Sequence, residues 1–324
     1  MSILLNNFYR IKNRKYNVLS SLVMTLIAIS LAVYFTSNHT AQSSIAVVIS
    51  SDVPTFQSNY FQFTVLEKQP PMYQLVLGKY DGVLLDQGHG NFKVETIKNA
   101  DFRQMLEELA KNPTEFVPPV NDVRGVGTTI IGYLMMFILL QCVMFMFTLS
   151  EDLELEKFER IVTAPVSFGK YLLSHFVSTF TVIVVPAFFM LLVMKAGLGF
   201  DIGFSLWQYA VLLGILCSSG TAFALLINSL VKGADTANMM ASSLVVLTTI
   251  LSGSFYSIEK GNTVLEKVLW ILPQKGVLSF VQGLEGGKAV SAMLPQLTYV
   301  LMIILLCLAF SILKLKKDYV LRRD

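Results

Sequence analysis

The sequence is poor in charge. Of its 324 residues, 15% are Asp, Glu, Lys or Arg, 54% are hydrophobic, and the mean hydropathy is +0.60. Soluble domains carry about 25% charged residues, so this composition excludes a disordered chain, argues against a soluble enzyme and points to a polytopic membrane protein. The net charge of +3 is small and no face is overwhelmingly basic, which argues against nucleic acid as a partner. Cysteine is scarce too. Cys142, Cys217 and Cys307 lie inside apolar runs and read as small buried hydrophobes, not as a disulfide framework or metal cluster. The motifs of several chemistries are missing. There is no H-E-x-x-H and no G-x-S-x-G. Gly287-Lys288 and Gly169-Lys170 lack a phosphate loop's earlier glycine, with Gln282 and Ala164 in its place, and its following Ser or Thr. The sequence therefore predicts a non-catalytic chain with no metal and no cofactor of its own.

Six apolar runs are present: Val18–Phe35, Thr128–Leu149, Tyr171–Met194, Phe204–Leu230, Ala237–Leu251 and Leu294–Leu313, none containing Asp, Glu, Lys or Arg. A membrane-spanning helix needs roughly 20 mostly apolar residues. The fifth run is short and continues into the segment after Leu251. The first reads as a retained anchor, because it is long for a signal sequence and Thr40–Ser44 offers only a weak cleavage site. Spans without carboxylates argue against a proton-coupled secondary transporter, which needs an ionisable relay in the bilayer. His175, at the start of the third run, reads as a satisfied interfacial histidine.

Charge bias sets the expected orientation. Arg10, Lys12, Arg14 and Lys15 precede the first span without any acid, and Lys314, Lys316, Lys317, Arg322 and Arg323 follow the last. Short basic loops stay cytoplasmic, so both termini are expected inside the cell membrane. The expected division is a cytoplasmic interfacial helix over 1–17, a first transmembrane helix over 18–36, an extracytoplasmic α/β domain over 37–126, and a five-helix transmembrane domain over 127–324. The fold class is thus an all-α polytopic membrane protein with six transmembrane helices and a small α/β insert.

Within the insert, Ile45–Ile49, Phe61–Leu66, Val83–Leu85 and Phe92–Ile97 read as strands, with Phe61, Phe63 and Val65 on one face. Asp101–Ala110 reads as a helix with Phe102, Met105, Leu106 and Leu109 inward. In the first residues, Leu4, Phe8 and Ile11 share one helical face and Arg10 and Arg14 another, a pattern suited to lying in the membrane interface.

Two loops stand out. Glu151–Lys170 concentrates five acids within the nine residues Glu151 to Glu159, on a side where bases are the norm. Leu155, Phe158 and Ile161 keep one helical face apolar, and Pro165 ends the helix. This is a docking surface for a partner or, more plainly, a solvated connector. Ser252–Met293 is broken by Gly253 and Glu259–Asn262. Leu265, Val268, Leu269 and Leu272 then form an apolar face stopped by Pro273, and Val277–Leu284 is a second piece. Neither piece is long enough to span, so the segment reads as an outer re-entrant pair.

In this arrangement the chain resembles the membrane subunits of type-2 ABC exporters. The resemblance rests on the N-terminal interfacial segment, the stretch Lys79–Leu85, the loop Glu151–Glu159 with Arg160, Pro165 and Gly169-Lys170, and the outer Ser252-Gly253 with Pro273. It covers essentially the whole chain. The chain departs from the pattern at Phe158, Ile161–Thr163 and Ser257-Ile258-Glu259. The resemblance implies a permease subunit of an ATP-driven exporter, paired with a second copy or a similar permease. A separate ABC ATPase chain then holds the ATP and Mg. It also implies that Glu151, Asp152, Glu154, Glu156, Phe158, Glu159, Arg160, Ile161, Pro165 and Lys170 couple to that ATPase. The second and fifth spans would line the translocation path, with Tyr133, Met136, Gln141, Asn238, Met239, Ser242 and Thr248 as candidates. That mixture of thioether, hydroxyl and apolar groups suits a lipophilic or amphipathic substrate such as a drug, an antimicrobial peptide or a lipid-like compound. The alternative reading is a membrane-anchored sensor or scaffold acting through the insert. In the fourth span, Gly214, Ser218 and Ala222 form a small-residue stripe expected to mediate close helix packing.

Overall fold

The computed structural model describes residues 2–39, 43–48, 61–66, 68–76, 79–87, 92–97, 100–111, 125–155, 167–200, 202–255 and 267–319. The chain divides into two compact units, Tyr34–Val123 and Met1–Val33 together with Arg124–Asp324.

The smaller unit holds a four-stranded sheet: β1 (Ser43–Val48), β2 (Phe61–Leu66), β3 (Gly82–Asp86) and β4 (Phe92–Glu95), in the order β2-β1-β3-β4. β1 runs parallel to both β2 and β3, and β4 is antiparallel to β3. A parallel central strand must bury both faces, and β1 does so by alternation. Ile45 and Val47 enter a core with Phe61, Leu84, Phe102, Leu106 and Leu109, while Ala46 joins Leu75, Tyr80 and Val83 on the other side. The helix supplying Phe102, Leu106 and Leu109 runs Ala100–Lys111, and the one supplying Leu75 runs Met72–Val76. Phe61 and Phe63 face the first core as their alternation predicts, but Val65, expected with them, is exposed.

The stretch Lys79–Leu85 has a structural explanation. The Asp81 carboxylate accepts from the Ser44 N–H, the Asp81 N–H donates to the Ser44 carbonyl, and the Thr96 hydroxyl donates to the Asp81 carbonyl. Asp81 therefore sets the register at the start of β1. A Cβ on Gly82 would stand 2.5 Å from Leu106 Cδ1, so glycine is what allows the Ala100–Lys111 helix to cross the sheet at contact distance.

The larger unit is helical. Its elements, with the two helices just described taken as α3 and α4, are α1 (Ser2–Asn13), α2 (Lys15–His39, whose last residues belong to the smaller unit), α5 (Val126–Glu154), α6 (Phe168–Leu192, continued by a π-helical turn Val193–Gly197), α7 (Leu206–Leu230), α8 (Ala234–Leu251), α9 (Pro273–Glu285) and α10 (Val290–Tyr319). Six are long and apolar enough to cross a membrane: Lys15–Tyr34, Val126–Glu154, Phe168–Gly197, Leu206–Leu230, Ala234–Leu251 and Val290–Asp318. The ends are set by local chemistry where a serine is at hand. Ser167 accepts from Lys170 N–H at the start of α6, and Ser205 and Gln208 form a reciprocal capping box at the start of α7. Pro273 stands in the first turn of α9, where its missing N–H costs nothing; it opens this helix as well as closing the apolar piece before it. At 13 residues α9 is about 20 Å long, short of a bilayer core. Glu259–Asn262 and Leu265, expected to break and resume the chain before it, lie outside the described residues.

α7 is the central packing helix, but along a different line from the one expected. Its buried stripe is Cys217, Gly220, Thr221 and Ala224, at helical spacing i, i+3, i+4 and i+7. A Cβ on Gly220 would lie 2.8 Å from Cys142 Sγ and 3.3 Å from Leu139 Cα on α5. Of the expected stripe only Ala222 is buried. Gly214 and Ser218 are half-buried, and a Cβ on Gly214 would meet only Phe180 Cζ, at 3.8 Å. The shift arises because α7 presents its smallest side to the bulk of Cys142, a contact that spacing within α7 does not encode. Cys142 and Cys217 are buried free thiols and Cys307 is half-buried.

Gly220→Ala should lower the thermal stability of the detergent-solubilised protein, because overpacking costs about 1–3 kcal/mol against the roughly 1 kcal/mol that alanine gains in helix propensity. Gly214→Ala should leave the melting temperature unchanged or raise it. A fragment covering residues 37–126 should give a mixed α/β circular dichroism spectrum with cooperative melting, since its two cores are complete within the unit; a random-coil spectrum would contradict that.

Candidate functional site

α5 ends in a way that its own chemistry disfavours. The last turn carries Glu151, Asp152 and Glu154 and no base, although a helix C-terminus holds the negative end of the backbone dipole and favours cations. Each carboxylate is compensated from elsewhere in the chain. Asp152 is 0% exposed and receives a two-pronged Arg10 fork, Nη1 to Oδ2 at 2.5 Å and Nη2 to Oδ1 at 2.8 Å. Arg10 Nη2 also reaches the Thr148 carbonyl, one turn earlier on α5, at 3.4 Å. The Tyr171 hydroxyl donates to Asp152 Oδ2 at 2.8 Å. His175 Nε2 stands 3.9 Å from the same oxygen, its ring edge-on to Tyr171 with centroids 4.8 Å apart. Burial alone would lower the Arg10 pKa, but the bond to Asp152 and its charge outweigh that and hold the guanidinium above its usual value.

The neighbouring acids are used in the same manner. Glu151 pairs with Arg14, whose guanidinium also sits 5.9 Å from the centroid of Phe147. Glu154 accepts from the Ala234 N–H at 2.8 Å. That bond caps α8, whose N-cap residue, Gly233, has φ +90° and no side chain to do so. Asn7 donates to Ser174 Oγ at 2.9 Å and completes the seat of α1 on α6. One helical turn thus ties down α1, the junction of α1 with α2, α6 and α8.

The sequence reading placed these acids differently. Glu151, Asp152 and Glu154 were expected to couple to an ATPase; in the structure all three also have partners within the chain, with Asp152 fully enclosed, Glu151 half-buried and Glu154 exposed. Arg10 and Arg14 were expected on a different face from Leu4, Phe8 and Ile11, but both turn inward with Asn7 and Ile11, while Leu4 and Phe8 are half-buried. His175 is buried as expected of an interfacial histidine, yet its Nε2 has no hydrogen-bond partner among the described residues. Lys170 lies in the first turn of α6 with its side chain exposed. Glu156, Phe158, Glu159, Arg160, Ile161 and Pro165 lie outside the described residues.

The candidates for a translocation path do not gather in one place. Gln141 is fully buried and committed: its Oε1 accepts from Ser21 Oγ at 2.9 Å, and its Nε2 donates to Ser21 O at 3.2 Å and Thr25 Oγ1 at 3.0 Å, fastening α5 to α2. A glutamine satisfied in this way inside the bundle serves packing. Tyr133 packs edge-on to Phe255 at 4.9 Å, and Thr248 accepts from Gln274 Nε2 at 2.9 Å. Met136, Asn238 and Ser242 are half-buried, and Met239 is 71% exposed. A cavity of about 30 Å³ between α5, α7 and α9 is lined by Met135, Leu139, Leu216, Ser219, Phe223 and Gln274 among others, and by none of the seven.

Glu285 was not singled out from the sequence. Its carboxylate accepts from Gly127 N at 2.7 Å and Thr128 N at 2.9 Å. It therefore caps α5, whose own N-cap, Gly125, has no side chain. For the arginines a signal did exist. Arg10 and Arg14 are spaced i, i+4 in an acid-free segment, and the chain holds one matching acid cluster at a helix end.

Among the described residues, six bilayer-length apolar helices define a multi-pass membrane protein. The chain belongs to the ABC-2 family of transporters: the family described as "ABC-2 family transporter protein" matches residues 55–313. It is therefore an ABC permease, a transport subunit of a family whose members associate with an ABC ATPase. No curated protein and no solved structure matches it.

The energetic weight of Asp152 is open to measurement. Asp152→Asn leaves a half-buried guanidinium without its counter-charge; breaking a fully buried pair costs about 3–5 kcal/mol, and solvent at Arg10 reduces that figure here. The expected outcome is a large fall in the detergent melting temperature. The double variant Arg10→Met/Asp152→Leu should recover much of that loss, giving strong coupling in a double-mutant cycle.

Proposed function

We propose that this permease exports a lipophilic or amphipathic substrate across the cytoplasmic membrane, with both termini cytoplasmic and the 37–126 domain outside. The observation that carries the coupling part of this reading is the last turn of α5. It leads directly into the 156–166 segment and holds α1, α6 and α8 through three carboxylates. A push on that segment by an ABC ATPase carrying ATP and Mg reaches all those helices together, because their shared attachment is a single helical turn with Asp152 buried in it. Within 150–170, the docking contacts fall to Phe158 and Ile161 as the apolar ridge and to Glu156, Glu159, Arg160 and Lys170 around it. Glu151, Asp152 and Glu154 relay the movement instead of touching the partner.

The outer segment 252–293 dips back into the membrane, supported by the shortness of α9 and its attachments to Thr248 at one end and Gly127 at the other. Two six-span halves, from a second copy or a similar permease, form the path between their α5 and α8 helices. There Tyr133, Met136, Asn238, Met239, Ser242 and Thr248 offer apolar, thioether and hydroxyl contacts without charge. Such a surface accepts varied lipophilic ligands and gives an ion no counter-charge. Nothing favours the sensor or scaffold reading.

The test is co-purification with co-expressed ABC ATPases of the same cell, followed by substrate-stimulated ATP turnover in the reconstituted complex. Phe158→Ala should reduce stimulated turnover at least about tenfold, since a buried aromatic anchor supplies about 2 kcal/mol or more. Glu156→Lys/Glu159→Lys should weaken association mainly by slowing encounter. Membrane insertion should survive in both. Wild-type association and turnover in both variants would make 156–166 a mere connector.

A further inference from the structure

The four bases at the start of the chain are sorted by residue type. Arg10 and Arg14, at i, i+4, turn inward onto Asp152 and Glu151. Lys12 and Lys15 are exposed and have no partner among the described residues. Arg suits the inner pair because its planar fork matches a carboxylate, whereas Lys presents a mobile point charge. The lysines belong to a wider surface. The helix breaks at Arg14, whose N–H ends α1 on the Arg10 carbonyl and whose own carbonyl accepts from Val18 N–H in the first turn of α2. On α1, residues 5, 9 and 12 share one face at steps of four and three, and Lys15, Tyr16 and Leu19 are exposed at the start of α2. Leu5 is 49% exposed, Tyr9 63%, Tyr16 81% and Leu19 59%. In chain order these exposed residues read apolar, tyrosine, lysine, lysine, tyrosine, apolar. They flank the entry to a bilayer-length apolar helix, and no acid occurs from Ser2 to His39.

We propose that this face of α1 and the first turn of α2 is a docking surface for anionic phospholipid headgroups. Tyr9 and Tyr16 place their rings at the level of the headgroups and their hydroxyls in water, as tyrosines do at a bilayer boundary. Leu5 and Leu19 enter the acyl region, and Lys12 and Lys15 meet lipid phosphates. Charge complementarity selects the occupant: the inward arginines have acids and the outward lysines have none among the described residues, so the outward pair attracts a negatively charged surface. A protein partner would need its own acids matched to two lysines between two tyrosines, while an anionic leaflet supplies them everywhere. The inference depends on the membrane-spanning class and not on the ATPase or the substrate.

The test uses the full chain with a reporter on this face: Tyr9→Trp in a Trp207→Phe/Trp270→Phe background, which removes both native tryptophans. The protein is reconstituted in vesicles of phosphatidylcholine and phosphatidylglycerol. Fluorescence quenching by brominated phosphatidylglycerol is then compared with quenching by brominated phosphatidylcholine, giving a relative lipid affinity at α1. The parent should prefer phosphatidylglycerol, and high salt should abolish the preference. Lys12→Gln/Lys15→Gln should reduce it by about fivefold per lysine with an unchanged melting temperature, since both side chains are exposed. Equal quenching by the two lipids in the parent, or an undiminished preference in the double variant, would overturn the proposal. Quenching by neither lipid would mean that protein covers the face, and would overturn it too.

Discussion

Everything at one end of the helical unit depends on how a buried carboxylate is neutralised. Asp152 closes α5 where the helix dipole is already negative and where no water reaches it. An isolated ion there would be prohibitive, and only a geometry that supplies charge and hydrogen bonds together makes it tolerable. Arg10 supplies both, Tyr171 adds a third hydrogen bond, and the consequence is that α1 and α6 lose freedom to move independently of α5. A pair of this kind contributes little net stability compared with an apolar contact, so its value lies in forcing one arrangement of three helices.

The helix N-termini show a second division. α6 and α7 begin at serines and cap themselves. α5 and α8 begin at Gly125 and Gly233, which have no capping side chain, and their first N–H groups are satisfied by Glu285 and Glu154 from distant elements. An unpaired N–H at a helix start costs about 0.5–2 kcal/mol, so these two helix starts are completed only by their remote partners. α5 receives Glu285 at one end and offers Glu154 to α8 at the other. The two helices proposed to flank the path are thereby joined at one end by the Glu154 carboxylate, while α6 and α7 cap their own N-termini.

The smaller unit places two distinct requirements on adjacent residues. Asp81 and Gly82 adjoin in sequence but serve separate needs, one fixing β1 by hydrogen bonds and the other leaving room for Leu106. Since β1 is central and covered on both faces, disturbing either residue affects both cores.

The spans, the membrane class and the strand-and-helix pattern of the insert were legible in the sequence, because each depends on local composition and periodicity that hold whatever the neighbours are. Helix starts at Ser167 and Ser205 were encoded locally for the same reason. What the sequence left undecided was every role requiring a partner far along the chain. Spacing alone cannot tell an acid that faces solvent from one that meets an arginine 142 positions away, as Asp152 meets Arg10. Nor could it separate Gln141, engaged with Ser21 and Thr25, from a lining residue, or show that α7 packs through Gly220 and not through Gly214. Those assignments were made by the tertiary structure, since burial and hydrogen-bond satisfaction are properties of assembled surfaces and not of any one segment.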